Sequence, residues 1–208
     1  MINKTLSATS LGRLFIFAVM AFLSCNRIDG GFTAEELELI NGTDSIMRVL
    51  TVNNVDDNTV LRSRSSDLPA GALVSDEFSR LAELMVATVT HPSQDGVGIA
   101  APQVGLNRRV IAVQRFDKEG EPFEVYANIR IVWASDSLVH GGEGCLSVPD
   151  MRGDVLRSES ITIEYADLNS IKENDDIPVI SETVNGFTAV IFQHEIDHLE
   201  GILYIDRL

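Results

Sequence analysis

The chain has 208 residues, 45% of them hydrophobic and 23% charged, which is enough for one well-buried domain and short for two. A formal net charge of −15 and a pI near 4.5 argue against a partner held through nucleic-acid phosphates, and against an anionic membrane surface gripped by basic residues. Only two cysteines, Cys25 and Cys145, are present, so at most one disulfide could form within the chain, and none if Cys25 is acylated.

Residues 1–25 read as a separate object. Lys4 and Arg13 precede the apolar run LFIFAVMAFL, Leu14 to Leu23, followed by Ser24 and Cys25. Ten apolar residues are too few to span a bilayer and suit the core of a signal peptide; a small residue before cysteine resembles a bacterial lipoprotein signal, with Cys25 as the lipidated residue. This pattern implies the cell envelope if the signal is used, and the cytoplasm otherwise. Residues 26–58 are polar and rich in turn formers (Gly30-Gly31, Asn53-Asn54, Asp56-Asp57), and are expected to form an extended linker or irregular arm. Ordered chain is expected from about residue 59, with one domain over 59–208.

Phe78, Leu81, Met85 and Val89 recur at helical spacing behind Ser75, which can cap the first turn, so a helix is expected from Asp76 to about Thr90, ending before Pro92. The stretch Gly96 to Gly105, GVGIAAPQVG, has neither period. It lacks the Lys-Ser/Thr pair of a phosphate loop, and its small side chains suit either a structural turn or the close approach of another chain. Gln103 is its one long polar side chain and can donate a hydrogen bond without carrying charge. Strands are expected at Arg109–Val113, Phe123–Ala127, Arg130–Trp133 and Ser160–Tyr165, with Trp133 as a packing residue. NSIKENDD, 169–176, reads as a polar surface excursion. Residues 177–180 and 182–184 then lead to Asn185-Gly186 and a last helix closed by Gly201. Strands fill the middle and two helices bracket them. The expected fold is α+β, with mainly antiparallel β-sheets packed around the C-terminal helix and a second helix before the glycine-rich stretch.

That last helix, FTAVIFQHEIDHLEG, carries the chemistry. His194 and His198 are four apart and sit on one face, so both can reach one metal ion, while Glu195 lies roughly 100° round the helix, near the ion without ligating it. Two imidazoles need a further ligand, and Cys145, flanked by glycines in GGEGCLSVP, is the natural third. A thiolate and two neutral imidazoles leave a tetrahedral ion one open position, as catalytic sites require. His91 and His140 are expected at the surface.

Taken together and in this order, GVGIAAPQVG, EGCLS and QHEIDHLEG resemble the three motifs of the peptide deformylase family, and the likeness extends through VLRSRS near residue 60, RGDVLR after Cys145 and the closing GILYIDRL. The resemblance implies a metal-dependent hydrolase that removes the N-terminal formyl group from formyl-methionyl peptides or nascent chains. Cys145, His194 and His198 would hold one divalent ion, typically Fe²⁺, with Zn²⁺, Ni²⁺ or Co²⁺ as alternatives. Glu195 would take a proton from water and return it to the leaving amine, and the Gln103 carboxamide with the Leu146 backbone N–H would face the oxyanion. Val97, Gly98, Glu143 and Gly144 would contact substrate lying as an added strand, and Val190 and Ile191 would wall a pocket for methionine. Asp197 faces away from the metal, and an ion pair with Arg157 is expected. A monomer is expected, with membrane contact only through a lipid on Cys25. Ile99 stands where the family usually has leucine, and Ile129 where it usually has proline. Two other readings compete: an exported, non-hydrolysing binder of formylated peptides, for which Glu195 would be superfluous, and an H-E-x-x-H zinc peptidase, for which Cys145 and Gln103 would be.

Overall fold

The computed structural model describes residues 31–171 and 176–208. The expected signal segment with Cys25 lies outside the described residues, as do residues 26–30 and 172–175. Four helices come first: α1 (Ala34–Asn41), α2 (Val55–Leu61), the single turn α3 (Ala70–Leu73) and α4 (Asp76–Thr90). Eight strands follow, β1 (Gly98–Ala100), β2 (Val110–Gln114), β3 (Phe123–Ala127), β4 (Arg130–Ala134), β5 (Leu138–Cys145), β6 (Val148–Ser158), β7 (Ser160–Ala166) and β8 (Val179–Asn185), before α5 (Gly186–Leu199). All strand pairs are antiparallel, in sheets ordered β1-β2-β3, β4-β7-β8 and β5-β6. The α+β expectation holds.

The first sheet is the partition between two cores. Alternate residues of a strand point to opposite faces. Ile99, Val110, Ala112 and Ala127 accordingly pack with α1 and α4, whereas Ala100, Ile111, Val113 and Tyr126 pack against α5 and the β4-β7-β8 sheet. α4 begins as expected, with the Ser75 hydroxyl accepting from the Phe78 N–H at 3.1 Å. Gly201 just past α5 has φ +73°, a conformation open to glycine, and the backbone of Arg62 lies where a side chain would stand.

Two expectations need correction, and one segment given no element from the sequence proves regular. Residues 26–58 are not an irregular arm where they are described. Thr33 and Glu36 form a reciprocal capping box that starts α1, Asn54 caps α2, and Phe32, Ile40, Met47 and Leu50 are buried. The turn formers punctuate short helices instead of marking a linker. The glycine-rich segment around Cys145 is regular too: β5 and β6 make a long hairpin whose two-residue turn, Leu146-Ser147, follows the cysteine directly. Lastly, Trp133 is 53% exposed, because β4 is an edge strand and an irregularity in its register between Ile131 and Trp133 disturbs its alternation.

Candidate active site

Three separated pieces of chain meet beside α5. The hairpin turn delivers Cys145, the 3-10 turn after β1 (Ala101–Val104) delivers Gln103, and α5 delivers His194, Glu195 and His198. A stretch preceding α2 ties the first two together: the Leu50 N–H donates to the Gln103 carbonyl at 2.8 Å, and the Val52 N–H to the Ser147 carbonyl at 2.9 Å. The ligand atoms of Cys145, His194 and His198 lie within 4.8 Å of one another, with the sulfur 3.2 Å from His198 Nε2. The expected three-ligand set is therefore assembled, and its soft thiolate with two imidazoles fits a divalent transition metal.

Second partners fix how these groups point. His194 Nδ1 lies 2.7 Å from a Glu143 carboxylate oxygen, which leaves Nε2 for a metal. Glu143 in turn accepts from Arg157 at 2.7 and 2.9 Å, and Arg157 donates to Asp197 at 2.6 Å, the ion pair expected from the sequence. Burial alone would raise the Glu143 carboxyl, but the hydrogen bonds from Arg157 and His194 outweigh it and hold the group at about 2. Glu143, expected to contact substrate, borders the cleft, and its side chain bonds Arg157 and His194, partners the sequence did not reveal because they lie 14 and 51 residues away.

The reacting side of the site is different. The Gln103 Oε1 atom accepts from the Ala100 N–H at 2.8 Å, so its NH₂ end faces Cys145 Sγ, 3.5 Å away, and Ser147 Oγ, 3.3 Å away. Glu195 is 4% exposed, and its Oε2 has no hydrogen-bond partner. Burial, the dominant influence, pushes its carboxyl up to about 7. An unsatisfied buried carboxylate is costly, and its persistence beside a metal-ligand triad marks a place where another molecule is meant to bind. Gly98 faces this carboxylate so closely that any Cβ would collide with it.

These groups open into a cleft of about 960 Å³ lined by Val97, Gly98, Gly144, Leu146, Val190 and Ile191 among others; of the residues expected at the site only His198 does not line it, lying buried behind the opening within the ligand set. β1 and β5 are each paired on one side only, to β2 and β6, and both border the cleft. His91 and His140 are exposed and apart from the metal ligands, as expected. Phe187, which also lines the cleft, was not singled out from the sequence; its place one turn before Val190 and Ile191 was the available signal.

Known proteins resemble this chain in sequence and fold. The family model for polypeptide deformylase matches residues 49–208. A peptide deformylase of Leptospira biflexa is 36% identical over 158 residues, covering 73% of this chain and 83% of the relative, and peptide deformylase 2 of Gloeobacter violaceus is 40% identical over 161 residues, covering 76% and 79%. Among solved structures, a class I type b peptide deformylase from Acinetobacter baumannii with Met-Ala-Ser bound superimposes with a TM-score of 0.68 at 34% identity, covering 80% of this chain and all of that one. The Thermotoga maritima peptide deformylase gives 0.66 at 29%, covering 79% and 99%. Sequence and fold agree over the segment that carries the site, and the chain belongs to the peptide deformylase family.

Proposed function

We infer that the protein hydrolyses the formyl amide at the N-terminus of formyl-methionyl peptides, with Glu195 as the group that moves the proton. The observation that carries this reading is the buried, unpartnered Glu195 Oε2 beside Cys145, His194 and His198. Those three side chains would hold one divalent ion, Fe²⁺ in our reading, which when bound polarises the formyl carbonyl and makes water more acidic. Glu195 accepts a proton from the attacking water and delivers it to the departing amine, so that formate and a free N-terminus result. As the carbonyl carbon becomes tetrahedral, its oxygen gains charge, and the Gln103 NH₂ group and the Leu146 N–H donate to it. Glu143 holds His194 in the tautomer that presents Nε2, and Arg157 holds Glu143. The free edges of β1 and β5, at Val97-Gly98 and Gly144, take the peptide backbone as an added strand, while Val190 and Ile191 border the methionine side chain.

The test is formate release from formyl-Met-Ala-Ser by protein loaded anaerobically with Fe²⁺. Turnover is expected for the natural chain, and Glu195→Gln should lower kcat by about 10² to 10⁴ while metal content, read by mass spectrometry, stays the same. Tight peptide binding without turnover in both proteins would favour a receptor instead, and cleavage of unformylated peptides a peptidase.

Our reading of residues 1–25 is that the enzyme sits at the cell envelope through a lipid on Cys25 if the signal is used, and in the cytoplasm otherwise; the charged, apolar and Ser-Cys sequence pattern favours the first. Among the described residues, no helix is long and apolar enough to cross a membrane. Fractionation of the native cell, with the N-terminal mass of the mature protein, tests it: an unmodified chain starting at Met1 in the soluble fraction overturns the assignment.

A further inference from the structure

Residues 31–48 precede the segment matched by the family model, which begins at residue 49, yet they pack against the turn that carries Gln103. α1 starts from the Thr33–Glu36 capping box, and the Glu36 carboxylate that accepts from the Thr33 N–H at 2.7 Å also takes two bonds from Arg108, at 2.7 and 2.8 Å. Arg108 is buried, and its Nη2 donates further to the Gly31 carbonyl at 2.7 Å. One turn along α1, Leu39 stands over Gly105, where a Cβ would come 3.1 Å from Leu39 Cδ2. Gly105 closes the 3-10 turn Ala101–Val104 with φ +95°, and Arg108 follows shortly after it. The far end of the arm is fixed as well. Arg80 donates to the Ile40 and Thr43 carbonyls at 3.0 and 2.6 Å, and the Met47 N–H to Thr88 Oγ1 at 2.8 Å, just before Leu50 meets the Gln103 carbonyl.

The direction of the Gln103 carboxamide is set by its turn, because Oε1 is tied to the Ala100 N–H at the turn's own start. A turn of four residues has little surface with which to fix itself, and this one is gripped at its exit by Leu39 and Arg108 and at Gln103 by Leu50. Small displacements matter in such a place. An oxyanion donor contributes only within hydrogen-bond reach of the reacting oxygen, and ~1 Å of misplacement can cost about 10²-fold in rate. Resting on the deformylase reading above, we propose that residues 31–48 are a positioning element of the active site, a brace in which Glu36, Leu39 and Arg108 hold the Gln103 turn at the distance its donor needs. These contacts reach the turn directly and not through the sheet. None of the three residues lines the cleft or belongs to the ligand set, so the brace acts on the transition state through Gln103 and its loss falls on kcat, not on KM.

The experiment measures kcat and KM on formyl-Met-Ala-Ser for the Fe²⁺-loaded full chain and its variants, with metal content read by mass spectrometry. Leu39→Ala and Glu36→Ala should each lower kcat about tenfold with KM and metal content unchanged, and Glu36→Gln, which keeps an acceptor for Arg108, should recover part of the loss. Gln103→Ala should lower kcat by about 10² to 10³, and on that background Leu39→Ala should change nothing further, since no carboxamide remains to misplace. A natural kcat in Leu39→Ala overturns the proposal, as does a loss confined to KM. So does an undiminished loss on the Gln103→Ala background, which would expose a general loosening of the fold. Leu39→Ala leaves no charge stranded, so it decides the matter even if Glu36→Ala, which unpairs the buried Arg108, fails to fold. No formate from the natural chain overturns the deformylase reading, and the brace with it; turnover in the natural chain with unaffected variants defeats the brace alone.

Discussion

α4 and α5 lie on opposite faces of the same three-stranded sheet and are built on opposite plans. α4 buries six of its fifteen residues, five of them apolar, and turns the remainder outward. α5 buries twelve of fourteen, among them Gln193, His194, Glu195, Asp197 and His198. Burying a polar group without a partner costs free energy, so a helix built this way needs a set of partners or a function. Most of its polar residues have partners: Gln193 bonds the backbone of Ser158 and Ala189, Asp197 meets Arg157 and Arg207, and His194 meets Glu143. Glu195 Oε2 and His198 Nδ1 do not. One helix covers a sheet, and the other carries a largely buried set of polar groups at the floor of a cleft; the second can be damaged in ways the first cannot.

The sharpest way to break that contrast is at Arg157, which serves two buried carboxylates on the α5 side. Arg157→Met leaves Glu143 and Asp197 without it and should cost about 3 to 5 kcal/mol in urea unfolding, with metal affinity falling alongside. Leu81→Ala, in the fully buried stripe of α4, should cost about 3 kcal/mol by the same measurement while kcat/KM of the folded fraction is unchanged. If Leu81→Ala altered chemistry, the two sides of the sheet would not be independent. pH sharpens the comparison further. A protonated Glu195 cannot act as base, and a bound divalent ion favours the carboxylate over the value of about 7 that burial imposes, so activity should fall about tenfold per pH unit on the acid side from a midpoint below 7. A midpoint above 7 in a kcat/KM profile would contradict this. The smallest effect belongs to Ser75→Ala, which removes the cap of α4 and should cost about 1 kcal/mol with no change in turnover.

The same contrast explains what could be read from sequence. α4 has a one-sided stripe, a cap and a proline stop, and its span of Asp76–Thr90 agrees with the expectation; β3 agrees likewise, because its pattern is local. α5 has no clean polar face, and was legible through its histidine spacing. Cys145 was identifiable as the only cysteine near such a pair. The hairpin that carries it was not foreseen, since Gly141, Gly142 and Gly144 weaken any strand signal and the pairing with residues 152–155 supplies the order. Residues 32–52 were missed for a related reason. Their apolar side chains keep no sustained period, and several find their place only against distant chain, as Met47 does where its N–H donates to Thr88 Oγ1 at 2.8 Å. Glu143 was found but its bonds to Arg157 and His194 were not, because spacing along the chain does not reveal which way a side chain turns.

The two backbone bonds from Leu50 and Val52 make the alignment of two distant loops depend on one stretch of chain. Gln103 and the Leu146 turn belong to loops more than forty residues apart, and one short length of polypeptide upstream of both stitches them edge to edge. The proposed oxyanion donors thus share a common seam, and whatever peels that seam away would spoil the alignment of both at once.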